Sequence, residues 1–289
     1  MTDASSKRDT WEVDLPFELP RGVTLETDMR PGAWVAPRLR AHRREAGVFA
    51  GEFIPSGFAI YARVFHPARR RDATPVRWRE LAERFGTTVH PEMQFTHIVA
   101  TRGTDHLDDL YPPIEGCLPR KETTLLADLL MPHTTAPARC WFAIWDGFGV
   151  WGGREALTSM PDMSEADLRR AEANDRRMQD QLRAIPRMSI PWRDYFLFRG
   201  PIEAASQLVS DEPFQSANLW WPDDRAWCVA TEIDGNSTYV GAEEACIERI
   251  LDDERLEALP SSIEHRFDAW GDELNPRPPG MPPRWGMPG

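Results

Sequence analysis

A chain of 289 residues, 41% hydrophobic and 28% charged, has the balance of a soluble globular protein. Roughly three quarters of its unfolded surface can be buried, so it is neither wholly disordered nor dependent on disulfides. Its net charge of −12 is uneven, with 15 basic and 12 acidic residues in 1–90, 13 and 16 in 91–200, and 6 and 18 in 201–289, and such an acidic surface excludes general nucleic-acid and membrane binding because it repels phosphate backbones and anionic lipid.

The first six residues, Met1 to Ser6, lack the apolar core of a signal peptide. No run approaches the eighteen apolar residues of a membrane-spanning helix, so the expected compartment is the cytoplasm. Residues 1–55 are interrupted by Pro16, Pro20, Pro31, Pro37 and Pro55. They predict an irregular N-terminal wrap, pinned by Trp11, Phe17, Trp34 and Phe53. The first strand is predicted over 57–65, where Phe58, Ile60, Ala62 and Val64 alternate onto one face. A basic loop, Arg69 to Arg71, follows. Thr74-Pro75 then predicts a helix through Phe85 with Val76, Leu81 and Phe85 buried and Gly86 as its stop.

Residues 87–120 read mostly as loop. A helix is predicted over 122–131, with a stripe of Leu125, Leu126, Leu129 and Leu130. Cys140 to Trp145 is apolar at every position, as a central strand is, and Asp146-Gly147 turns it. A charged helix is predicted over 164–185, capped by Ser164 and inserted between two strands. Tyr195 to Phe198 reads as a short strand. The chain closes on a strand over 225–233, a turn at 234–236, a strand over 237–240 and a helix over 242–251 with Ala245, Ile247, Ile250 and Leu251 inward. Leu256 and Leu259 extend its packing.

Together these elements predict an α+β fold with a mainly antiparallel sheet and packed helices, ending in a β-β-α unit. The expected organisation is a wrap over 1–55, a core over 56–262 with a charged helical insertion near 155–190, and a Pro-rich tail over 263–289. That tail holds a Pro-x-x-Pro-x-Arg spacing at Pro279 to Arg284, which an aromatic groove can bind; ordinary tail composition produces the same match.

The densest group of recognition residues surrounds the strand at 225–233. Trp220, Trp221, Asp223, Asp224, Glu232 and Asp234 form a candidate binding rim. The competing reading is a packed sheet entrance, with Asp223 or Asp224 paired to Arg225. Glu232 and Asp234 share a strand face and could serve as acid and base or hold a hard cation, although turn and surface carboxylates are commoner. Cys140 with His133 and Asp146 has the composition of a nucleophile, base and orienter, but a cysteine in an apolar strand is normally buried and inert. His90, His97, His106 and His133 fall in loops, and none forms a metal-binding spacing with the cysteines at 117, 140, 228 and 246. No phosphate-binding or dinucleotide motif is present, so no cofactor is implied. Arg69 to Arg71 with Arg77 and Arg79 form a basic patch that suits an anion, or the acidic third of another copy; solvated loop charge is the plainer reading.

The blocks Trp220-Trp221-Pro222 to Asp234, Ser237 to Gly241, Cys140 to Gly147 and Tyr195 to Pro201 resemble a family of actinobacterial proteins of uncharacterised activity. The resemblance spans scattered blocks over about residues 55–260 and implies no reaction. The expectation from the residues is a non-catalytic binding, immunity-like or accessory protein recognising a basic protein partner. The alternative is a hydrolase or transferase with a dispersed site near Glu232 and Asp234.

Overall fold

The computed structural model describes residues 15, 18–42, 47–100, 109–148, 164–211 and 214–281. Expectations placed on Trp11, Phe17, His106 and Pro282 to Arg284 lie outside them. In chain order the strands and helices begin with β1 (Thr24–Glu26), β2 (Ile60–Phe65), β3 (Ala68–Arg70), β4 (Pro75–Val76), α1 (Trp78–Phe85), α2 (Phe95–Val99) and β5 (Leu110–Tyr111). Next come α3 (Arg120–Leu130), β6 (Cys140–Trp145), α4 (Glu165–Ala184), β7 (Met188–Ile190), β8 (Arg193–Gly200), α5 (Ala204–Gln207), β9 (Ser210–Asp211) and β10 (Phe214–Gln215). The chain ends with β11 (Leu219–Pro222), β12 (Cys228–Thr231), β13 (Ser237–Ala242), α6 (Glu244–Asp252) and β14 (Ala258–Ser261).

The fold is α+β, built on a nine-stranded antiparallel sheet in the order β1-β8-β6-β11-β12-β13-β2-β14, with β7 sharing the outer edge of β8 beside β1. The alternation of each central strand explains why both faces are apolar. Phe142, Ile144, Phe196, Phe198, Trp220, Val229 and Val240 point to one face, where α3, α5 and α6 cover them. Ala143, Leu197, Trp221, Cys228, Ala230 and Tyr239 point to the other, where Trp34, Val35, Phe53 and Ile54 of the N-terminal segment lie over them. Helices, sheet and irregular wrap thus form three layers. A third cluster gathers α1 and α2 around Phe65, Trp78 and Met93. No helix among the described residues is long and apolar enough to cross a membrane.

Several boundaries differ from expectation for identifiable reasons. The helix expected from Thr74 starts at Trp78, because Pro75 and Val76 pair with Arg69 and Ala68 in a small hairpin. Its turn includes Ala73 at φ 66°. The buried Glu257 then takes the amides of Trp78 and Arg79, each at 2.7 Å, and so begins α1. Gly86 ends α1 in the left-handed region at φ 68°, as the sequence suggests. The strand expected over 225–233 is shorter. Arg225 sits in a turn at φ 55° and Gly235 N–H bonds Glu232 O, leaving Cys228–Thr231 in the sheet. In α6 Ile247 and Ile250 are buried as expected and Leu251 is half-buried, but Ala245 is exposed and Cys246 takes the inward place beside Ile247.

Two of the unexpected features bear most on the packing. One is β14, an edge strand containing Pro260, which an edge tolerates because one side of the strand needs no ladder donor. The other is the packing of residues 263–275, expected as tail. Ile263 and Phe267 close the wrapped face, Phe267 N–H bonds Val48 O, and Asp272 and Asn275 are buried. The charged helix α4 is present, with the Ser164 hydroxyl accepting from the Asp167 amide.

Candidate functional site

The sheet register distributes the six predicted rim residues. Trp220 and Trp221 are consecutive in β11 and therefore face opposite layers. They are 2% and 1% exposed. Trp220 meets Trp227 edge-on at 5.2 Å, and Trp221 meets Trp34 at 5.8 Å. Both indoles belong to the core, because β11 lies between β6 and β12 with both faces covered. The four acids divide between the two ends of the sheet. Asp223 and Asp224 follow β11, whereas Glu232 and Asp234 follow the antiparallel β12.

At the second end, Arg193 Nη2 lies 2.7 Å from Glu232 Oε1 and 3.0 Å from Asp234 Oδ2. Burial opposes the charge of Arg193, but its hydrogen bond to Glu232 and the two carboxylate charges outweigh that and raise its pKa. The carboxylate pair that could have served as acid and base, or as cation ligands, holds a guanidinium between its members.

The first end gathers more acid than the sequence reading proposed. β8, β11 and β13 run in the same direction, and Gly200 and Pro222 both stand opposite Cys140. The segments leaving these strands carry Glu203, Asp223, Asp224, Glu243 and Glu244, all exposed. Asp223 pairs with Arg139 at 2.8 Å, not with Arg225, and accepts from the Trp141 indole at 3.2 Å. Arg225 instead lies over the Trp34 ring. Asp224 accepts from Thr134 Oγ1, Thr135 N and Oγ1, and Ala226 N. Burial raises the Asp224 pKa, yet the Thr135 and Thr134 bonds prevail and lower it. Glu243 pairs with His133 at 3.2 Å. Glu203 and Glu244 form no ion pair among the described residues. Their number and placement at one end escaped sequence reasoning because register, not spacing, assembles them.

That end also decides the cysteine hypothesis. Burial pushes the Cys140 thiol up to about 12, with Asp224, Glu203 and Asp223 adding to it. His133 turns to Glu243, and Asp146 to Arg187 at 3.3 Å. The proposed nucleophile, base and orienter are therefore not assembled. Burial also raises Cys117 to about 11, Cys246 to about 12, and Cys228 further.

His66 and His90 serve buried polar networks. His66 bridges Ile114 O at 2.7 Å and Thr238 Oγ1 at 2.9 Å, and Thr238 continues to Thr231. Burial lowers its pKa to about 4. His90 Nε2 meets Asp272 Oδ1 at 2.8 Å. Asp272 also accepts from Gln94 N and from Asn275 N and Nδ2. Burial alone would raise Asp272, but these bonds hold it down at about 2. His97 is buried close by, with Nε2 unpartnered. No group of three or more His, Cys, Asp or Glu among the described residues is arranged to hold a metal ion.

The basic patch is dispersed as well. Arg69 lies over Phe214, Arg70 pairs with Asp109 and Arg79 with Glu257. Arg77 joins Lys121, Asp128, Glu254 and Arg255 around an open cleft of about 680 Å³ beside α3. Its walls carry both charge signs, which suits water or a zwitterion better than a simple anion. Comparison with known proteins finds no matching family, no matching curated protein and no matching solved structure.

Proposed function

We propose that this chain is a non-catalytic, cytoplasmic binding protein of the immunity-like or accessory kind. It recognises a basic protein partner through the acidic end of its sheet. The observation that carries this reading is the convergence of Glu203, Asp223, Asp224, Glu243 and Glu244 on the ends of three parallel-running strands. These groups stand on short turns and a helix start anchored directly to packed strands, so a partner meets a preformed field. The proposed kinship with the actinobacterial family rests on the same strand blocks and is consistent with a scaffold role.

Poly-L-arginine is a suitable first probe. Binding is expected at low salt and to weaken at high salt, because contacts at an exposed rim are screened. Replacing Glu203, Glu243 and Glu244 by Gln, and Asp223 by Asn, is expected to weaken it about tenfold, or ~1.4 kcal/mol. Unchanged affinity in that variant, measured by fluorescence anisotropy, would exclude the acidic end as the recognition surface.

A further inference from the structure

His97 lies in α2 and is wholly buried. Its Nε2 has no hydrogen-bond partner, and its Nδ1 meets the Thr96 hydroxyl at 3.4 Å. Such a ring is held neutral, because a second N–H would be buried without an acceptor. The elements around it add little that could hold a charge. α1 meets α2 through apolar rings, Trp78 and Phe95, 5.7 Å apart. From β2 the buried Arg63 donates to Pro91 O and Met93 O in the loop before α2. Glu92 of that loop accepts from the Arg266 amide. Gln94 donates its amide to Asp272 and its side chain to Phe267 O, so the C-terminal segment docks at the start of α2. Among the described residues, the charges that bear on the His97 ring are Asp272, Arg277 and His90. Burial lowers its pKa most, Arg277 and His90 lower it further, and Asp272 opposes them. Asp272 is already taken, accepting from His90, Gln94 and Asn275.

We propose that His97 makes the docking of residues 263–275 pH-sensitive: its ring takes up a proton when the segment lifts from α2, so acid favours the lifted form. The sign follows from linkage. In the lifted form the ring titrates near its ordinary 6.5, whereas docking holds it below that value. The docked form therefore has its full advantage above pH 6.5. Below that pH the ratio of docked to lifted chain falls by up to about tenfold per pH unit. His90 acts in two directions. A proton on it strengthens its pair with Asp272, and the same proton sets a second cation beside His97. One carboxylate then faces two imidazolium rings and Arg277, so protonation of both histidines is incompatible with docking.

Amide hydrogen exchange of the full chain at pH 7.5, 6.5 and 5.5, corrected for the intrinsic rate at each pH, reads this equilibrium. The amides of Gln94, Phe267 and Asn275 bond across the docked contact. They are expected to exchange ahead of Val229 and Val240 in the sheet at every pH, and to open about tenfold more often at pH 5.5 than at 7.5. His97→Gln and His97→Phe bind no proton at this position, and the second keeps a ring beside Phe95 and Ile98. Each is expected to flatten the pH response of the three amides. In the native chain, ¹⁵N NMR of the His97 ring is expected to show it neutral at pH 5.5 in the docked form. Opening that does not change with pH, equal exchange in segment and sheet, or an undiminished response in either folded variant would overturn the inference. So would a ring that titrates near pH 6.5 while the segment stays docked.

Discussion

His66 follows β2 directly and is fully buried, with its two ring nitrogens committed to Ile114 O and Thr238 Oγ1. Its pKa falls from 6.5 to about 4 on folding, chiefly through burial, so the unfolded chain binds the proton more readily than the folded one. The stability that follows is complete above pH 6.5 and is lost as pH falls through 4. At ~1.4 kcal/mol per pKa unit, the loss across that window is about 3 kcal/mol. Urea denaturation between pH 7 and 4 is expected to show this decline in the native chain. The part due to His66 should vanish in His66→Gln, whose amide can serve the same two partners. An identical pH slope in both proteins would remove His66 as its source. Sequence could place His66 after a strand, but its burial depends on Thr238, 172 residues away. The same distance problem hides Asp272 and His90, which are 182 residues apart. Local pattern carries no record of such pairs.

At the scale of elements, the central strands were the most legible part of the chain. Cys140 to Trp145 reads as a two-faced strand because every position is apolar, and both layers of the structure use it. The β-β-α ending appears for similar reasons, although Arg225 and Glu232 belong to turns and not to the strand. Less legible were elements begun by distant groups. Nothing near Trp78 announces a helix start, since its cap is Glu257. Glu257→Ala should therefore cost about 1–2 kcal/mol, in the range of a lost N-cap. Amide exchange should accelerate first at Trp78 and Arg79 and only later in the sheet. Uniform acceleration over the whole chain would argue against a local capping role. The candidate rim failed as a unit for a related reason. A run of residues along one hairpin is divided by the sheet into two core indoles and two separate acidic ends.

For the molecule as a whole, the outer wrap draws on two segments far apart in the sequence. Trp34, Val35, Phe53 and Ile54 cover one sheet face, and residues 263–275 lock this wrap there through Phe267, the Phe49–Arg266 bridge and Asp268, which accepts from the Val48 amide. Asp272 anchors that second segment to the loop bearing His90 and Gln94. Asp272→Ala removes a buried charge accepting several hydrogen bonds, and a loss of about 2–4 kcal/mol is expected at neutral pH. Limited proteolysis should then cut between residues 262 and 275 sooner than elsewhere. Unaltered cleavage kinetics would show that the segment is held by Phe267 and its neighbours alone. Composition made this segment look like tail, since Pro and Gly dominate the residues just beyond it. Its anchors, Asp268, Asp272 and Asn275, are short polar side chains that no hydrophobic period reveals.

The position of β2 has a consequence for the order in which the chain acquires its structure. β2 comprises residues 60–65, yet its two neighbours in the sheet are β13 and β14, at 237–242 and 258–261. During synthesis the first strand of the central core emerges without either of its pairing partners. Its exposed ladder groups and the aromatic wrap beside it must wait until the last third of the polypeptide has left the ribosome. Early chain is therefore held open by topology, and sheet closure is a late event that joins the two ends of the sequence. A nascent chain arrested before residue 237 is expected to carry β2 unpaired, an aggregation-prone state.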